Sequence, residues 1–373
     1  MLEWKDPYNS FNSYIKGMYY LDWYKSIREW KDGLIKAPKA PVEISLDPFQ
    51  FCQLKCSHCN ASRYLLDDKK PLRIDDDKYL DLIRFFAKWG AKAICHGGGG
   101  EPTLHTGLWE ALELASSLGL ENSIATNGIN FNDKTIDIAV KNCRWIGVSV
   151  DSATKETYLK GRGIDCFDKT IESLKKLSLR AKELNTNCDV SMKFLLFQYN
   201  QHEIFEACKL AKEIGVKDFH ARPADLSHVN MHEQYKVKTN PYNLELIEKQ
   251  FEQCHEIETK DFRVITAVHK FDKNFMPIKY FEQCYASPCC LQICPDGNCY
   301  LCPDQRYQEF YKLGSWNPNP EAILEFWGSQ KHYDLVFKHG KKACNTRCTF
   351  NPYNTMCERL AINDNDPVCW KFI

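Results

Sequence analysis

Short apolar runs of strand length alternate with helical patterns about six times between residues 42 and 225, and this alternation limits the possible folds most. Repeated strand–helix units indicate a parallel sheet with right-handed crossovers, here as an open or partial α/β barrel. In such folds the chemistry lies at the carboxyl ends of the strands, so the loops after the strands are informative about function. The predicted strands span residues 42–46, 92–95, 123–126, 145–150, 190–196 and 217–221.

The segments around this barrel have different patterns. Residues 1–41 are rich in Trp and Tyr and predict one or two helices that end near Gly33, before Pro38 and Pro41 extend the chain. A helix at 242–257 follows the barrel. We expect an N-terminal helical extension (1–41), the barrel (42–225), a connecting helical segment (226–283) and a cysteine-rich region (284–373).

The chain contains 19 cysteines among 373 residues, and this number needs a chemical reason. Disulfides fit poorly, because the count is odd and no secretion signal is visible. Thiolates are instead common ligands of iron–sulfur clusters and zinc, and ten of the cysteines lie between Cys284 and Cys369. We therefore interpret many of the cysteines as metal or cluster ligands and expect a cytoplasmic protein.

The balance of charges bears on possible partners. Lys plus Arg and Asp plus Glu both number 49, so the chain has no net positive charge that would attract nucleic acid. The sequence also contains no stretch of about 18 uncharged apolar residues, the length that a membrane helix needs. We expect neither nucleic acid nor a membrane as a partner.

The loop after the first predicted strand contains Cys52, Cys56 and Cys59 in a CxxxCxxC spacing. With so many cysteines this spacing can also arise by chance, so its position in the fold matters. A zinc site usually has four protein ligands, and apart from His58 inside the motif no fourth ligand follows at zinc-finger spacing. Three thiolates would leave one iron of a 4Fe-4S cluster open to an exogenous ligand.

The loop after the second predicted strand contains four consecutive glycines at 97–100, followed by Glu101 and Pro102. Glycines allow the backbone to approach a ligand closely, and a carboxylate among them can accept hydrogen bonds from an ammonium group. Taken alone, a glycine-rich turn is more often only a turn. Its place after a neighbouring strand is what connects it to the cysteine motif.

The cysteine motif after strand one and the glycine–glutamate loop after strand two together resemble the radical S-adenosylmethionine (SAM) superfamily. The resemblance covers roughly residues 42–225 and implies a partial (β/α)6 TIM-like barrel. It implies that a reduced 4Fe-4S cluster cleaves SAM to a 5'-deoxyadenosyl radical, which abstracts a substrate hydrogen atom. By this resemblance the cluster ligands and catalytic residues are Cys52, Cys56 and Cys59, while Gly99, Gly100 and Glu101 hold the methionine amino group of SAM.

Polar residues after strands three and four resemble further SAM-contacting positions of that superfamily. Asn127, Ser149 and Asp151 match positions that face the SAM ribose and methionine. Arg162 resembles an arginine that pairs with the SAM carboxylate, for which its planar fork is suited. His58, inside the cysteine motif, completes the predicted cofactor-binding set. The alternative for Asn127, Ser149 and Arg162 is an ordinary cap, turn or surface residue.

The cysteine-rich region resembles the auxiliary iron–sulfur cluster domains called SPASM or twitch. Cys284, Gly297 and Cys302 fit the opening of that pattern, and residues 295–298 predict a hairpin turn. The later spacing departs from the full SPASM pattern, which leaves one or two auxiliary 4Fe-4S clusters open, with a structural zinc site as a third alternative. The predicted auxiliary ligands are Cys284, Cys290, Cys302, Cys344, Cys348, Cys357 and Cys369.

Proteins that pair such a barrel with auxiliary clusters mostly modify peptides or act on sugars and aminocyclitols. We therefore hypothesise a radical SAM oxidoreductase or isomerase that crosslinks or epimerises a peptide and receives electrons from a donor such as flavodoxin or ferredoxin. The alternative is a radical epimerase or dehydrogenase of a sugar or aminoglycoside, which the short N-terminal extension and the neutral charge favour. A hypothesis from another class is a non-enzymatic iron–sulfur or zinc scaffold, against which the glycine–glutamate loop argues.

Overall fold

The computed structural model describes residues 19–65, 70–237, 241–267 and 275–358, and its central feature is one ten-stranded sheet. All six predicted strands are present, and their ends lie within two residues of the prediction. The strands are β1 (Glu43–Leu46), β2 (Ala93–His96), β3 (Glu121–Thr126), β4 (Cys143–Ser149), β5 (Asp189–Leu196), β6 (Asp218–Pro223), β7 (Arg263–Thr266), β8 (Cys290–Ile293), β9 (Asn298–Tyr300) and β10 (Lys312–Ser315).

Strands β1 to β7 lie side by side in chain order, and every pair in this series is parallel. The sheet is not closed, because β7 and β10 form its two outer edges. This arrangement confirms the predicted α/β fold with an open, partial barrel. The sequence did not predict β7, since this four-residue strand follows the stretch in which the strand–helix alternation fades.

Helices connect the strands and supply the apolar surface that packs on the sheet. Helix α3 buries Tyr79, Leu82 and Phe86 and ends at Gly90, whose left-handed backbone (φ 105°) suits glycine. Among the residues that the structure describes, no helix has the length and apolar content needed to cross a bilayer. The helices are α1 (Leu21–Lys31), α2 (Ser62–Leu65), α3 (Asp76–Trp89), α4 (Leu108–Ser117), α5 (Asp133–Asn142), α6 (Lys155–Arg162), α7 (Phe167–Glu183), α8 (Ile204–Ile214), α9 (Leu244–Glu256), α10 (Ile323–Phe326), α11 (Gln330–Asp334), α12 (Gly340–Ala343) and α13 (Asn351–Met356).

The two faces of the barrel strands differ in polarity. Phe194 of β5 and Phe219 of β6 are fully buried in the hydrophobic core between sheet and helices. Successive side chains of a strand point to opposite faces, so their neighbours Lys193 and His220 lie on the inner face of the barrel. There, the Lys193 Nζ lies 3.2 Å from the His220 Nδ1. The inner face is therefore polar, and the site described below lies at its carboxyl edge.

The cysteine-rich region continues the barrel sheet. Strand β8 pairs in parallel with β1, with Cys290 opposite Glu43, and β9 and β10 extend the sheet by antiparallel pairing. The turn between β8 and β9 contains Gly297 in a left-handed backbone conformation (φ 82°), as the predicted hairpin requires. The predicted domain boundaries stay predictions, although the sheet runs without a break across the one at 284.

Helix α1 packs against the C-terminal region. The Trp30 ring lies 4.7 Å from the His332 ring and 5.1 Å from the Phe337 ring. The Trp327 indole N–H donates a hydrogen bond to the Pro38 carbonyl at 3.0 Å. These contacts hold the segment before β1 against the segment after β10.

Candidate functional site

The cysteines of the CxxxCxxC motif lie between β1 and α2, at the carboxyl end of the sheet, and we call residues 52–59 the three-thiol loop. All three cysteine side chains are partly buried. Asn127 Nδ2 donates to the Cys52 sulfur at 3.7 Å, and Arg162 Nη1 donates to the Cys56 sulfur at 3.5 Å. N–H donors from the loop after β3 and from the end of helix α6 therefore point at two of the sulfurs.

The end of helix α6 holds the backbone of the three-thiol loop. Lys55 N donates to the Arg162 carbonyl at 3.0 Å, and Ser57 N donates to the Gly161 carbonyl at 3.2 Å. Gly163 has a left-handed backbone (φ 74°), and a Cβ at this position would lie 2.8 Å from the Lys55 carbonyl oxygen. The glycine next to Arg162 thus permits the close approach that aims Arg162 at the loop.

Burial makes the Cys52 and Cys59 thiols hard to ionise unless a metal binds them. Burial, Glu101 and the neighbouring thiols raise the pKa of Cys52 to about 12. Burial and the Cys56 thiol raise the pKa of Cys59 to about 12 as well. A bound metal ion deprotonates a coordinating thiol outright. Three neighbouring thiols, each of which accepts an N–H hydrogen bond, fit the ligand set of an iron–sulfur cluster.

The glycine–glutamate loop after β2 packs against the backbone that leads into the three-thiol loop. A Cβ on Gly100 would lie 2.3 Å from the Phe49 carbonyl oxygen and 2.6 Å from the Phe51 carbonyl oxygen, so this position requires glycine. Glu101 N donates to the Phe51 carbonyl at 2.7 Å. The two loops that carry the sequence motifs are therefore in direct contact.

The Glu101 carboxylate is buried and joins the glycine loop to the end of β3. Its Oε1 accepts from Thr103 N at 3.1 Å, Thr103 Oγ1 at 2.5 Å and Thr126 Oγ1 at 2.6 Å, and its Oε2 accepts from Asn127 N at 2.8 Å. Burial raises the pKa of Glu101, and these donors oppose the rise. Glu101 therefore positions the loop in this structure, and its contact with the SAM methionine ammonium stays a prediction.

Asp151, His58 and Arg162 form a buried charged network beside the three-thiol loop. Arg162 Nη2 lies 2.6 Å and His58 Nε2 lies 3.2 Å from Asp151 Oδ2, while Leu195 N donates to Asp151 Oδ1 at 2.7 Å. Burial opposes ionisation of Asp151, but Arg162 and His58 outweigh it and lower the Asp151 pKa. Burial lowers the pKa of His58. Asp151 also has a left-handed backbone conformation (φ 61°). This conformation is strained for a non-glycine residue, and residues that adopt it cluster at functional sites.

The other predicted SAM contacts lie at neighbouring strand ends. Asn127 directly follows β3, and Gly99 lies in the loop after β2. Ser149 is the last residue of β4 and is paired with Lys193 of β5. The SAM-binding roles of these residues, and those of His58, Asp151 and Arg162, stay predictions.

Asp47, Arg306 and Tyr307 lie behind the glycine loop and belong to the site, although no sequence motif marks them. Asp47 directly follows β1, and its Oδ2 lies 3.3 Å from Arg306 Nε of the C-terminal region. A Cβ on Gly99 would lie 2.6 Å from Asp47 Oδ2 and 3.0 Å from the Tyr307 hydroxyl. Burial raises the pKa of Asp47 to about 6, and Arg306 opposes the rise. The position of Asp47 directly after a strand could have identified it as a site residue from the sequence. Arg306 is far away in sequence, and only the fold brings it to the site.

Four partly buried cysteines of the C-terminal region interact with one another, and we call them the four-thiol group: Cys284, Cys302, Cys344 and Cys348. Burial and Cys344 raise the pKa of Cys284 to about 12. Burial, with contributions from other members of the group, raises the pKa values of Cys302 and Cys348 well above the ordinary value. Gln305 Nε2 donates to the Cys344 sulfur at 3.3 Å, and Asn354 Nδ2 donates to the Cys348 sulfur at 3.7 Å. Like the three-thiol loop, this donor set fits an iron–sulfur cluster.

The structure does not bring the other predicted auxiliary ligands to this group. Cys290 of β8 interacts with Glu43, Cys95 and Cys289, and Cys357 interacts with Cys289 and Tyr24. Pairing of β8 with β1 keeps Cys290 within the sheet. Cys369 lies outside the described residues. Within the described parts of the chain, no three His, Cys, Asp or Glu side chains are placed to hold a single metal ion, and the zinc alternative stays a prediction.

Comparison with known proteins identifies the region around the three-thiol loop. Residues 46–187 match the family model of the radical SAM superfamily. These residues are a radical SAM domain. The matched range contains both the cysteine motif and the glycine–glutamate loop, and it confirms the cofactors expected for this domain, a 4Fe-4S cluster and SAM.

Curated relatives of the radical SAM domain match only part of the chain. A probable GTP 3',8-cyclase of Saccharolobus islandicus (strain Y.N.15.51 / Yellowstone #2) is 31% identical over 123 residues, which are 33% of this chain and 38% of the relative. The mycofactocin maturase MftC of Mycobacterium ulcerans is 24% identical over 190 residues, 51% of this chain and 48% of the relative. The similarity thus spans about half or less of the length of these relatives.

Solved structures resemble the radical SAM domain together with the C-terminal region. Streptococcus suis SuiB bound to S-adenosylmethionine has a TM-score of 0.63 at 17% identity and covers 82% of this chain and 70% of its own. SuiB bound to the precursor peptide SuiA has a TM-score of 0.62 at 16% identity, with 89% and 74% covered. Native anSMEcpe with bound AdoMet has a TM-score of 0.61 at 17% identity, with 84% and 89% covered. At these identities the likeness shows the fold alone.

Proposed function

We propose that this protein is a radical SAM enzyme that modifies a peptide. In this proposal Cys52, Cys56 and Cys59 bind the catalytic 4Fe-4S cluster, and the four-thiol group binds an auxiliary cluster. The observation that carries the proposal is the second group of neighbouring thiols in a region that shares its sheet with the radical SAM domain. The fold of both parts together is like that of SuiB and anSMEcpe, which have been solved with bound peptides.

The residues around the three-thiol loop suit this chemistry. When bound, the cluster and SAM would supply the radical that removes a substrate hydrogen atom. The N–H donors of Asn127 and Arg162 point at two of the sulfurs, and such hydrogen bonds tune the reduction potential of a cluster. Glu101 would fix the glycine loop that seats the methionine part of SAM. The buried network around Asp151 would exclude water from this side of the site.

The four-thiol group suits a role in electron transfer. Four thiols fill every ligand position of a 4Fe-4S cluster, whereas the three-thiol loop leaves one position for SAM. A cluster with no open iron would exchange electrons and would not bind the substrate directly. This difference favours an oxidative change such as a crosslink, for which electrons must leave the substrate, over epimerisation.

Anaerobic SAM cleavage tests the enzyme assignment. Reconstituted protein is mixed with SAM and dithionite, which replaces the proposed flavodoxin or ferredoxin donor, and 5'-deoxyadenosine is measured. We expect the product from wild type and from the control C188A, which removes a buried thiol outside both groups. We expect only background from C56A. Only background from wild type would end the proposal and leave the non-enzymatic scaffold, and equal product from C56A would end the assignment of Cys56 as a ligand of the catalytic cluster.

Mass spectrometry of peptide substrates tests the reaction type. Peptides encoded by genes beside this one are the first candidates, incubated with enzyme, SAM and reductant in heavy water. A crosslink removes two hydrogen atoms from the peptide, whereas epimerisation exchanges one hydrogen for deuterium without other change. We expect the loss of two hydrogen atoms. Deuterium uptake alone would assign an isomerase instead.

A small-molecule substrate is a second candidate function. The observation in its favour is the match to probable GTP 3',8-cyclases, whose name specifies a nucleotide substrate. A sugar or aminoglycoside would belong to the same class. Formation of 5'-deoxyadenosine that rises with GTP or an aminoglycoside, but with none of the peptides, would favour this alternative.

A further inference from the structure

Two arginines approach one another between the three-thiol loop and the four-thiol group. Arg222, near the end of β6, is paired with Leu195 of β5, and the Leu195 amide donates to Asp151. The Arg222 side chain interacts electrostatically with Asp151 on the side of the radical SAM domain and with Asp304 on the side of the four-thiol group. Arg222 therefore lies between the two predicted cluster sites.

Arg347 reaches the same place from the C-terminal region. Its backbone N–H donates to Asp225 Oδ2 at 2.8 Å, which anchors it just beyond the end of β6. The Arg347 side chain interacts electrostatically with both Arg222 and Asp304. Since Cys348 is the next residue, Arg347 lies at the border of the four-thiol group.

Within the described residues, neither of these two guanidinium groups has a carboxylate as an ion-pair partner. In the described ranges no ion pair within 4.0 Å and no side-chain hydrogen bond involves Arg222, and the buried Arg347 Nε has no hydrogen-bond partner. The Asp304 carboxylate is held by the Thr349 N–H at 2.9 Å and the Thr349 hydroxyl at 3.0 Å. Burial and Arg347 lower the pKa of Arg222 to about 9, so it remains charged at neutral pH.

We infer that Arg222 and Arg347 form a subsite that binds a carboxylate group of the substrate. The inference rests on the proposed function and specifies the peptide as one with an acidic side chain or a free C-terminal carboxylate at this point. Arg162 already pairs with Asp151, Asp304 accepts from Thr349, and Asp225 accepts from the Arg347 backbone N–H, so in the part of the chain that the structure describes none of these carboxylates forms an ion pair with the Arg222 or Arg347 guanidinium. Guanidinium groups without an ion-pair partner suit a carboxylate, because guanidinium forks bind carboxylates in a bidentate manner.

Binding of three small probes to the reconstituted full chain tests this subsite. The probes are N-acetylglutamate amide for an acidic side chain, N-acetylglutamine for a C-terminal carboxylate, and N-acetylglutamine amide as the neutral isostere, each titrated by calorimetry. We expect one of the two acids to bind about tenfold more tightly than the neutral probe, as a charge-assisted hydrogen-bonded pair allows. The acid that binds better identifies the source of the carboxylate.

Variants assign the preference to these arginines. We expect R222Q and R347Q to lower the acid-to-neutral affinity ratio to about one, and R222K to keep part of it. The control R180Q, which removes a surface arginine paired with Asp137, should keep the full ratio. Equal binding of acid and neutral probes by wild type, or an unchanged ratio in both glutamine variants, would overturn the inference. So would tripolyphosphate binding more tightly than either acid in an Arg222-dependent manner.

The outcome is separable from that of the proposed function. SAM cleavage is measured on the same preparations without any peptide, and the probes are not peptide substrates. If no peptide is modified but the acids still bind in an Arg222-dependent manner, the subsite stands and the peptide assignment fails. If peptides are modified but the acids show no preference, the subsite fails and the peptide assignment stands.

Discussion

The three-thiol loop and the four-thiol group have similar chemistry but arise from the sequence in different ways. The first takes its thiols from eight consecutive residues, 52–59, between one strand and one helix. The second collects Cys284, Cys302, Cys344 and Cys348 from distant segments. A local ligand set can be read from spacing alone. A distributed set depends on where the sheet, the hairpin and the C-terminal helices place each cysteine.

The two groups also differ in how many ligand positions they can fill. Both place buried or partly buried thiols close together, and both receive N–H hydrogen bonds from side chains that are not ligands, such as Asn127 and Gln305. Three thiols leave an iron of a 4Fe-4S cluster open, and four do not. The open group would therefore bind SAM and the closed group would exchange electrons, and the predictions below test this division.

Removal of the proposed cluster ligands should have the largest effects. Wild type should contain about eight irons per chain, and the triple variant C52A/C56A/C59A should keep about four, because the two groups bind separate 4Fe-4S clusters. The variant C344A should lose iron from the other group and still cleave SAM to 5'-deoxyadenosine. Iron and sulfide analysis, with electron paramagnetic resonance, measures both.

The cysteines that the structure places elsewhere are the matched controls. C290A and C357A should keep the wild-type iron content, since their neighbours are Cys289, Glu43 and Tyr24. Loss of about four irons in either variant would mean that the auxiliary ligand set differs from the four-thiol group. More than about four irons in the triple variant would indicate a second auxiliary cluster.

The contrast between the two groups also explains how much of the fold and of the site could be predicted from the sequence. The strand–helix alternation predicts six barrel strands, and the order of the two motif loops predicts their contact at one edge, as the short distance between Glu101 N and the Phe51 carbonyl confirms. The pairing of β8 with β1 leaves no such signal, because β8 has only four residues and its partner is far away in sequence. Arg222, Arg306 and Arg347 are ordinary arginines until the fold brings them to the site.

The buried network that supports the three-thiol loop should account for the next largest effect. D151N removes the charge that faces Arg162 and leaves that guanidinium buried without its partner. Breaking a buried pair in this way lowers the free energy of unfolding by about 3 kcal/mol. Thermal unfolding of the anaerobic protein measures it. D137N breaks an exposed pair with Arg180 and should change the midpoint much less, and an equal shift in both variants would contradict the assignment.

The glycine loop should have a smaller effect, seen in SAM affinity. In G100A the new Cβ would meet the Phe49 carbonyl at 2.3 Å, so the loop must shift away from the three-thiol loop. We expect SAM to bind about tenfold more weakly, a loss of about 1.4 kcal/mol, in equilibrium dialysis. G119A adds a Cβ where nothing lies within 4 Å and should keep the wild-type SAM affinity. Unchanged SAM binding by G100A would show that the loop does not seat the cofactor.

The smallest expected effect concerns the packing that supports the region of the four-thiol group. His332 is buried against Trp30 and Trp327, and burial lowers its pKa to about 3. In the unfolded chain His332 has a pKa of about 6.5. The stabilising contribution of the neutral, buried His332 is therefore complete above that pH and is lost as the pH falls. Between pH 6 and 5, wild type should lose about 1 kcal/mol more stability than H332Q. Parallel thermal midpoints of the two proteins over this range would show that His332 is protonated equally in both states, so that packing on Trp30 does not hold it neutral.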